Sequence, residues 1–232
     1  MLAAMPVTGD PELFRPFDGR ACRWAANGFA KACASKACAR STSAPTGSQQ
    51  TRRIICRWRN TLDRRFDSWP PNRAWVADLT YIAMAQGWLY LAVITNLASR
   101  RIVGWSMSER MKAGLVCQAL RSAYGQCRPP VGLILHSDQC AQYANHTYRS
   151  LAADFGMQVS MSRRANAWDN AAIESFFKTL KIERIYQCRY ETREQAKLDI
   201  VDWIEGFYTR QRLHSFIGYR TPMEVEIMLT AA

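Results

Sequence analysis

The sequence predicts an α/β protein: a mixed five-stranded sheet with helices on both faces. Three observations predict it. Residues 74–107 carry three successive runs rich in β-branched and aromatic residues, separated by short turns. Residues 109–162 then alternate helical spacing with short apolar runs, and two more helical segments follow. An antiparallel meander followed by α/β units gives a sheet of mixed sense covered on both sides.

The first three strands are AWVADLTYIA (74–83), WLYLAVITN (88–96) and RIVGWSM (101–107), with turns at Gln86-Gly87 and Ala98-Ser99. Residues 109–127 show helical spacing at Leu115, Ala119 and Ala123, and Pro129-Pro130 stops them. VGLILHSDQ (131–139) reads as a short buried strand. NHTYRSLAADFG (145–156) reads as a helix closed by Gly156, and MQVSMS (157–162) as the fifth strand. Residues 170–185 place Ile173, Phe176, Phe177 and Leu180 at i, i+3, i+4 and i+7, with Asp169 as N-cap. Thr192-Arg193-Glu194-Gln195 has the form of a capping box and opens a last long helix through Ile200, Trp203, Ile204 and Phe207.

The chain has 232 residues, 48% of them hydrophobic and 22% charged, which supports a packed core and argues against wholesale disorder. Its net charge of +12 points to a polyanionic partner, nucleic acid before membrane. No apolar run approaches the ~18 residues of a membrane-spanning helix. The 8 cysteines form no CxxC and do not combine with the 3 histidines at zinc-finger spacing. They read as reduced thiols of a cytoplasmic protein.

The charge divides the chain. Residues 1–65 hold 12 basic and 4 acidic side chains; residues 66–232 hold 19 and 15. Among the first 50 residues Leu, Val and Ile number three, too few to offset the entropy of ordering. The expected organisation is therefore a basic, low-core segment over 1–60, a linker over 61–73 containing Pro70-Pro71, and a folded core with C-terminal helices over 74–232.

Three carboxylates fall where a core does not want them. Asp78 is the only acidic or basic residue between Ala74 and Ser99, on a strand apolar on both faces. A buried carboxylate there needs a counter-charge or a metal. Asp138 ends the next buried strand, and Glu174 lies beside the apolar stripe of a helix. Each alone also fits an ordinary role: a backbone acceptor near a strand end, an Asx-turn, a Glu–Lys helix pair. Together they suit a hard cation with oxygen ligands, Mg²⁺ best, because it completes its shell with water and phosphate. Two such ions about 3.5–4 Å apart assist in-line phosphoryl transfer.

Thirty-five residues separate Asp138 from Glu174. With Asp78 upstream, this resembles the D,D(35)E arrangement of retroviral-integrase-like transposases. NRAWVADLTYI (72–82), LILHSDQCAQY (133–143), SRRANAWDNAAIESFFKTLKIE (162–183) and YTRQRLHSFIGYRTPMEVE (208–226) resemble the second-reading-frame transposases of the insertion sequence three family, over roughly Leu62 to Leu229. The resemblance implies a ribonuclease H-like fold and DNA transposition. It implies that Asp78, Asp138 and Glu174 are catalytic and bind two divalent ions, Mg²⁺ or Mn²⁺. The chemistry implied is cleavage at the element's ends and attack of the freed 3′-hydroxyl on target DNA. The implied partners are terminal inverted repeats, target DNA, a first-reading-frame helix-turn-helix protein or fusion, and further copies of the chain on DNA, in the bacterial cytoplasm at the nucleoid.

Arg163, Arg164, Lys178 and Lys181 surround the Glu174 helix and are expected to meet phosphates, with Asn170 of the family motif grouped with them. His136 reads as structural, since bound metal can activate water without it. Arg212 and His214 match the C-terminal motif without an assigned role. Cys140 stands where the family usually has glycine; a left-handed backbone there would strain cysteine. Ala165 and Ala167 are further departures. Residues 1–60 lack the periodicity of the helical DNA-binding segment that relatives carry, and their Ala/Arg/Cys-rich text is what GC-rich DNA gives out of frame. Two alternatives remain at this stage: a DNA-binding remnant without catalysis, and a nuclease of the same fold without strand transfer.

Overall fold

The computed structural model describes residues 59–67, 69–163 and 166–231, with the side chain of Ala167 outside that set. All described residues lie in one unit, Ile54–Ala232. The expectation of a low-core segment over 1–60 falls outside the described residues, apart from Arg59 and Asn60.

Five strands form one sheet: β1 (Ala74–Met84), β2 (Gly87–Asn96), β3 (Ile102–Ser108), β4 (Ile134–Ser137) and β5 (Gln158–Met161). Their order is β3-β2-β1-β4-β5. β1, β2 and β3 pair antiparallel as consecutive neighbours, while β4 and β5 add parallel to β1. The sheet is mixed, as expected. β1 lies at its centre because it is apolar on both faces.

Helices α1 (Ala113–Cys127), α2 (His146–Asp154), α3 (Ala171–Glu183), α4 (Arg193–Asp202) and α5 (Pro222–Thr230) complete the fold. On one face Val76, Ile82, Leu89, Leu91 and Val93 pack against Ile173, Phe176, Phe177 and Leu180 of α3, joined by Ile200, Trp203, Ile204 and Tyr208. The predicted stripe of α3 is thus the buried one. On the other face α1 presses on β3: a Cβ at Gly104 would lie 2.5 Å from the Ala119 carbonyl and 2.6 Å from the Ala123 Cβ. Only glycine lets the helix approach that closely.

Several expectations need correction. α1 begins at Ala113 rather than 109, because Arg110 N–H turns to Ser108 Oγ and Lys112 offers no side-chain cap. β4 is shorter than 131–139: Gly132, at φ +86°, breaks the start of the run, and the strand ends at Ser137, so Asp138 lies just past it in an Asx-turn. The N-cap of α3 is Asn170, not Asp169, because a 3₁₀ turn over Ala167–Asn170 carries the chain one residue further. The last long helix widens into a π-helix over Trp203–Tyr208. α5 had no individual prediction, although Thr221 and Glu224 form a reciprocal capping box with Pro222 in the first turn. The stretch read as a linker also supplies Leu62, 0% exposed, to the core.

Candidate active site

The parallel ladder between β1 and β4 ends at the pair Ala77↔Ser137. Asp78 and Asp138 are the next residues on the two chains. Neighbouring strands lie about 4.8 Å apart, so the sheet register sets two aspartates side by side where it opens. Leu79 N–H donates to Asp78 Oδ1 at 2.8 Å. Cys140 N–H donates to Asp138 Oδ1 at 3.2 Å, an Asx-turn. The ordinary Asx-turn reading of Asp138 is what the structure shows, and the turn fixes the direction of the carboxylate.

Glu174 lies in the first turn of α3, which packs on the Asp78 face of the sheet. Burial, then Asp138, and further Glu174, push the Asp78 carboxyl well above its usual range; Leu79 N–H and Lys181 oppose them. Burial raises Asp138, with Cys140 opposing, and partial burial raises Glu174, which stays exposed on its helix. Asp78 thus feels the charges of both other expected carboxylates. Among the described residues no three His, Cys, Asp or Glu side chains already stand in a ligating array. The donor set nevertheless fits a hard divalent cation: it is oxygen-only, and its self-repulsion is what a cation relieves.

The basic residues separate. Lys181 reaches the site, with Nζ 5.4 Å from the Tyr81 ring centroid. Burial lowers its pKa and the Asp78 charge raises it. Lys178 is exposed. Arg163 is engaged: its N–H, Nε and Nη2 donate to the Asp169 carboxylate at 2.8–2.9 Å. Arg164 lies outside the described residues. Asn170, expected toward DNA, is instead 4% exposed. It turns inward because it ends the 3₁₀ turn that docks α3.

Sequence reasoning missed the clamp around Asp169. Its side chain is 0% exposed. Besides Arg163 it accepts from Arg64 Nε and Asn60 Nδ2, both at 2.9 Å. Arg163 first and Arg64 after it hold its carboxyl below the usual carboxylate range, against its burial. Arg163 is close in sequence, but nothing local announces Arg64 or Asn60. The clamp fixes the turn before Glu174 and leaves Trp168 74% exposed beside it. Cys140 is buried and is not among the residues of positive φ, so the anticipated strain is absent. His136 is buried, and burial lowers its pKa to about 4. Arg212 pairs with Glu183 at 2.7 Å, and His214 packs edge-on to Tyr208.

An integrase core domain matches residues 70–167, and a second integrase core domain description matches residues 155–222. The transposase for insertion sequence element IS904 of Lactococcus lactis is 44% identical over 167 residues, covering 72% of this chain and 66% of that one. The transposase InsF for insertion sequence IS3A of Escherichia coli is 39% identical over 167 residues, covering 72% and 58%. The chain belongs to the insertion sequence three family of transposases. It spans 66% and 58% of the lengths of these two members. The transposase core also resembles solved retroviral proteins. The simian T-cell lymphotropic virus intasome chain gives a TM-score of 0.56 at 15% identity, over 68% of this chain and 55% of that one. The BIV integrase catalytic core gives 0.52 at 18% identity, over 69% and 97%. At such identities the likeness carries the fold alone, and it is the ribonuclease H-like fold expected.

Proposed function

We propose that this chain is the catalytic subunit of a DNA transposase, with Asp78, Asp138 and Glu174 as its active-site carboxylates. One observation carries the reading: the sheet register places Asp78 and Asp138 together where β1 and β4 part, under the helix that bears Glu174. A solved protein of this fold, the HTLV-2 integrase catalytic core domain, is in complex with magnesium; it gives a TM-score of 0.51 at 12% identity. Asp78, Asp138 and Glu174 would hold Mg²⁺ or Mn²⁺, two ions in the full complex, which supply Lewis-acid activation of the attacking oxygen and stabilise the leaving one.

The chain's own residues do the rest. Lys181 balances the Asp78 charge, and exposed Lys178 meets the DNA backbone from the same helix. Arg163 fixes the turn before α3 while keeping a guanidinium edge toward solvent, and its sequence neighbour Arg164 is assigned to the same DNA contact on its charge alone. The substrates are the element's terminal inverted repeats and target DNA. Copies of the chain assemble on them with a first-reading-frame helix-turn-helix partner at the nucleoid. Among the described residues no helix is long and apolar enough to cross a membrane.

The test is incubation of the full chain with cloned element ends, with Mg²⁺ or Mn²⁺ and with or without the upstream product. Joined strands are expected; nicks alone would mean a nuclease of the same fold. Asp78→Asn, Asp138→Asn and Glu174→Gln should each lower joining by on the order of 100-fold or more. Unchanged joining in all three would refute the assignment.

A further inference from the structure

Asp138 follows a strand and Glu174 rides on a helix, so something must hold the two elements in one alignment. His136 lies on β4 two residues before Asp138 and is 0% exposed. Its Nδ1 is 2.8 Å from Ser160 Oγ on β5. That hydroxyl already accepts from Thr61 N–H at 2.9 Å and Leu62 N–H at 3.4 Å. With both lone pairs engaged, its single proton goes to Nδ1. His136 is therefore the neutral tautomer with its hydrogen on Nε2.

That Nε2 is buried without a hydrogen-bond partner, and so is Asn170 Oδ1. The two are neighbours: the Asn170 amide and the Asp169 backbone lie beside the ring, short of full hydrogen-bond geometry. Asn170 is the N-cap residue of α3, yet its side chain caps nothing. A buried donor without an acceptor here faces a buried acceptor without a donor.

We propose that His136 Nε2–H donates to Asn170 Oδ1, and that this bond ties the strand leading to Asp138 to the helix bearing Glu174. Both are positioning residues of the acidic site, an inference that rests on reading the three carboxylates as the active site. The bond sets the orientation of the Asn170 amide, oxygen inward. It also completes a relay from the Thr61–Leu62 backbone through Ser160 and His136 to the start of α3. Asn170 is thereby assigned to alignment rather than to DNA contact.

Two measurements on the full chain test this. The first is a two-bond ¹⁵N–¹H spectrum at pH 7 of protein labelled in its 3 histidines, with His136→Gln giving the assignment. His136 should show the Nε2–H pattern, and its Nε2 resonance should move in Asn170→Ala. An Nδ1–H pattern, or an Nε2 resonance indifferent to Asn170→Ala, overturns the proposal.

The second is the Mn²⁺ dependence of strand joining. Glutamine at 136 carries an amide donor to about the place of Nε2–H, whereas asparagine is too short. His136→Asn and Asn170→Ala should raise the half-saturating Mn²⁺ concentration or lower kcat by roughly 10–100-fold, with KM for DNA unchanged, as is usual for outer-shell partners. His136→Gln should recover most of the loss. Equal losses in His136→Gln and His136→Asn with unchanged Mn²⁺ dependence would mean a packing role alone and overturn the proposal. Should the wild-type chain join no strands, the functional reading fails while the spectra still decide the bond.

Discussion

Replacing Asp169 by Asn removes one charge from a carboxylate that accepts from Asn60, Arg64 and Arg163. Breaking one side of a buried ion pair costs about 3–5 kcal/mol. Here the enclosure is one side chain thick: Asp169 is 0% exposed, but Arg64 and Arg163 are 45% and 49% exposed. Both guanidiniums can rehydrate, so the cost falls to about 2 kcal/mol at pH 7. The sign with pH follows from linkage. The folded carboxyl lies below its unfolded value, so its contribution is complete above ~4 and is lost as pH falls through and below it. Each unit below the unfolded pKa removes at most about 1.4 kcal/mol. Urea unfolding followed by tryptophan fluorescence at pH 7, 5 and 3 measures the margin. Wild type should exceed Asp169→Asn by about 2 kcal/mol at pH 7 and 5, and the margin should shrink by roughly 1 kcal/mol at pH 3. Equal midpoints at pH 7, or a margin that does not narrow, would refute the clamp as a source of stability.

Three further perturbations follow from the same structure. Cys140→Gly should not raise strand joining, because the backbone there is not left-handed, and it should lower the melting point through lost burial and added chain entropy, about 1 kcal/mol; a gain in activity would count against the reading. Gly104→Ala drives a methyl into the α1 backbone and should destabilise by about 1–3 kcal/mol in urea titration; an unchanged midpoint would show that α1 moves away freely. His214 has its pKa lowered to about 4 by burial and by Arg212 and Arg100. The unfolded chain binds the proton more readily, so stability should fall as pH drops from ~6.5 to about 4; His214→Gln should flatten that slope, and an unaltered slope would exclude His214 as its source.

Periodicity made the five strands and the buried stripe of α3 legible, because alternation and 3.6-residue spacing are local consequences of which face is wet. Segment ends were less legible. Gly132 at positive φ shortens β4, and the 3₁₀ turn over Ala167–Asn170 delays α3; both depend on backbone conformations that hydrophobicity does not encode. α5 carried its own signal in Thr221-Pro222-Met223-Glu224, which apolar spacing overshadowed.

The sequence by itself determined the fold class and singled out three carboxylates as candidates, Asp78 because an acid in an otherwise apolar strand stands out, Asp138 and Glu174 by their spacing from it. Tertiary structure decided which charges face which. Arg163, legible as a phosphate contact, turns its guanidinium to Asp169, while Lys181 reaches the acidic site and Asn170 turns inward to His136. The physical reason is that charge and hydrogen-bond pairing are settled by distances across the sheet and its flanking helix. Asn60 and Arg64 meet Asp169 across 109 and 105 residues of chain, and no local pattern encodes that meeting.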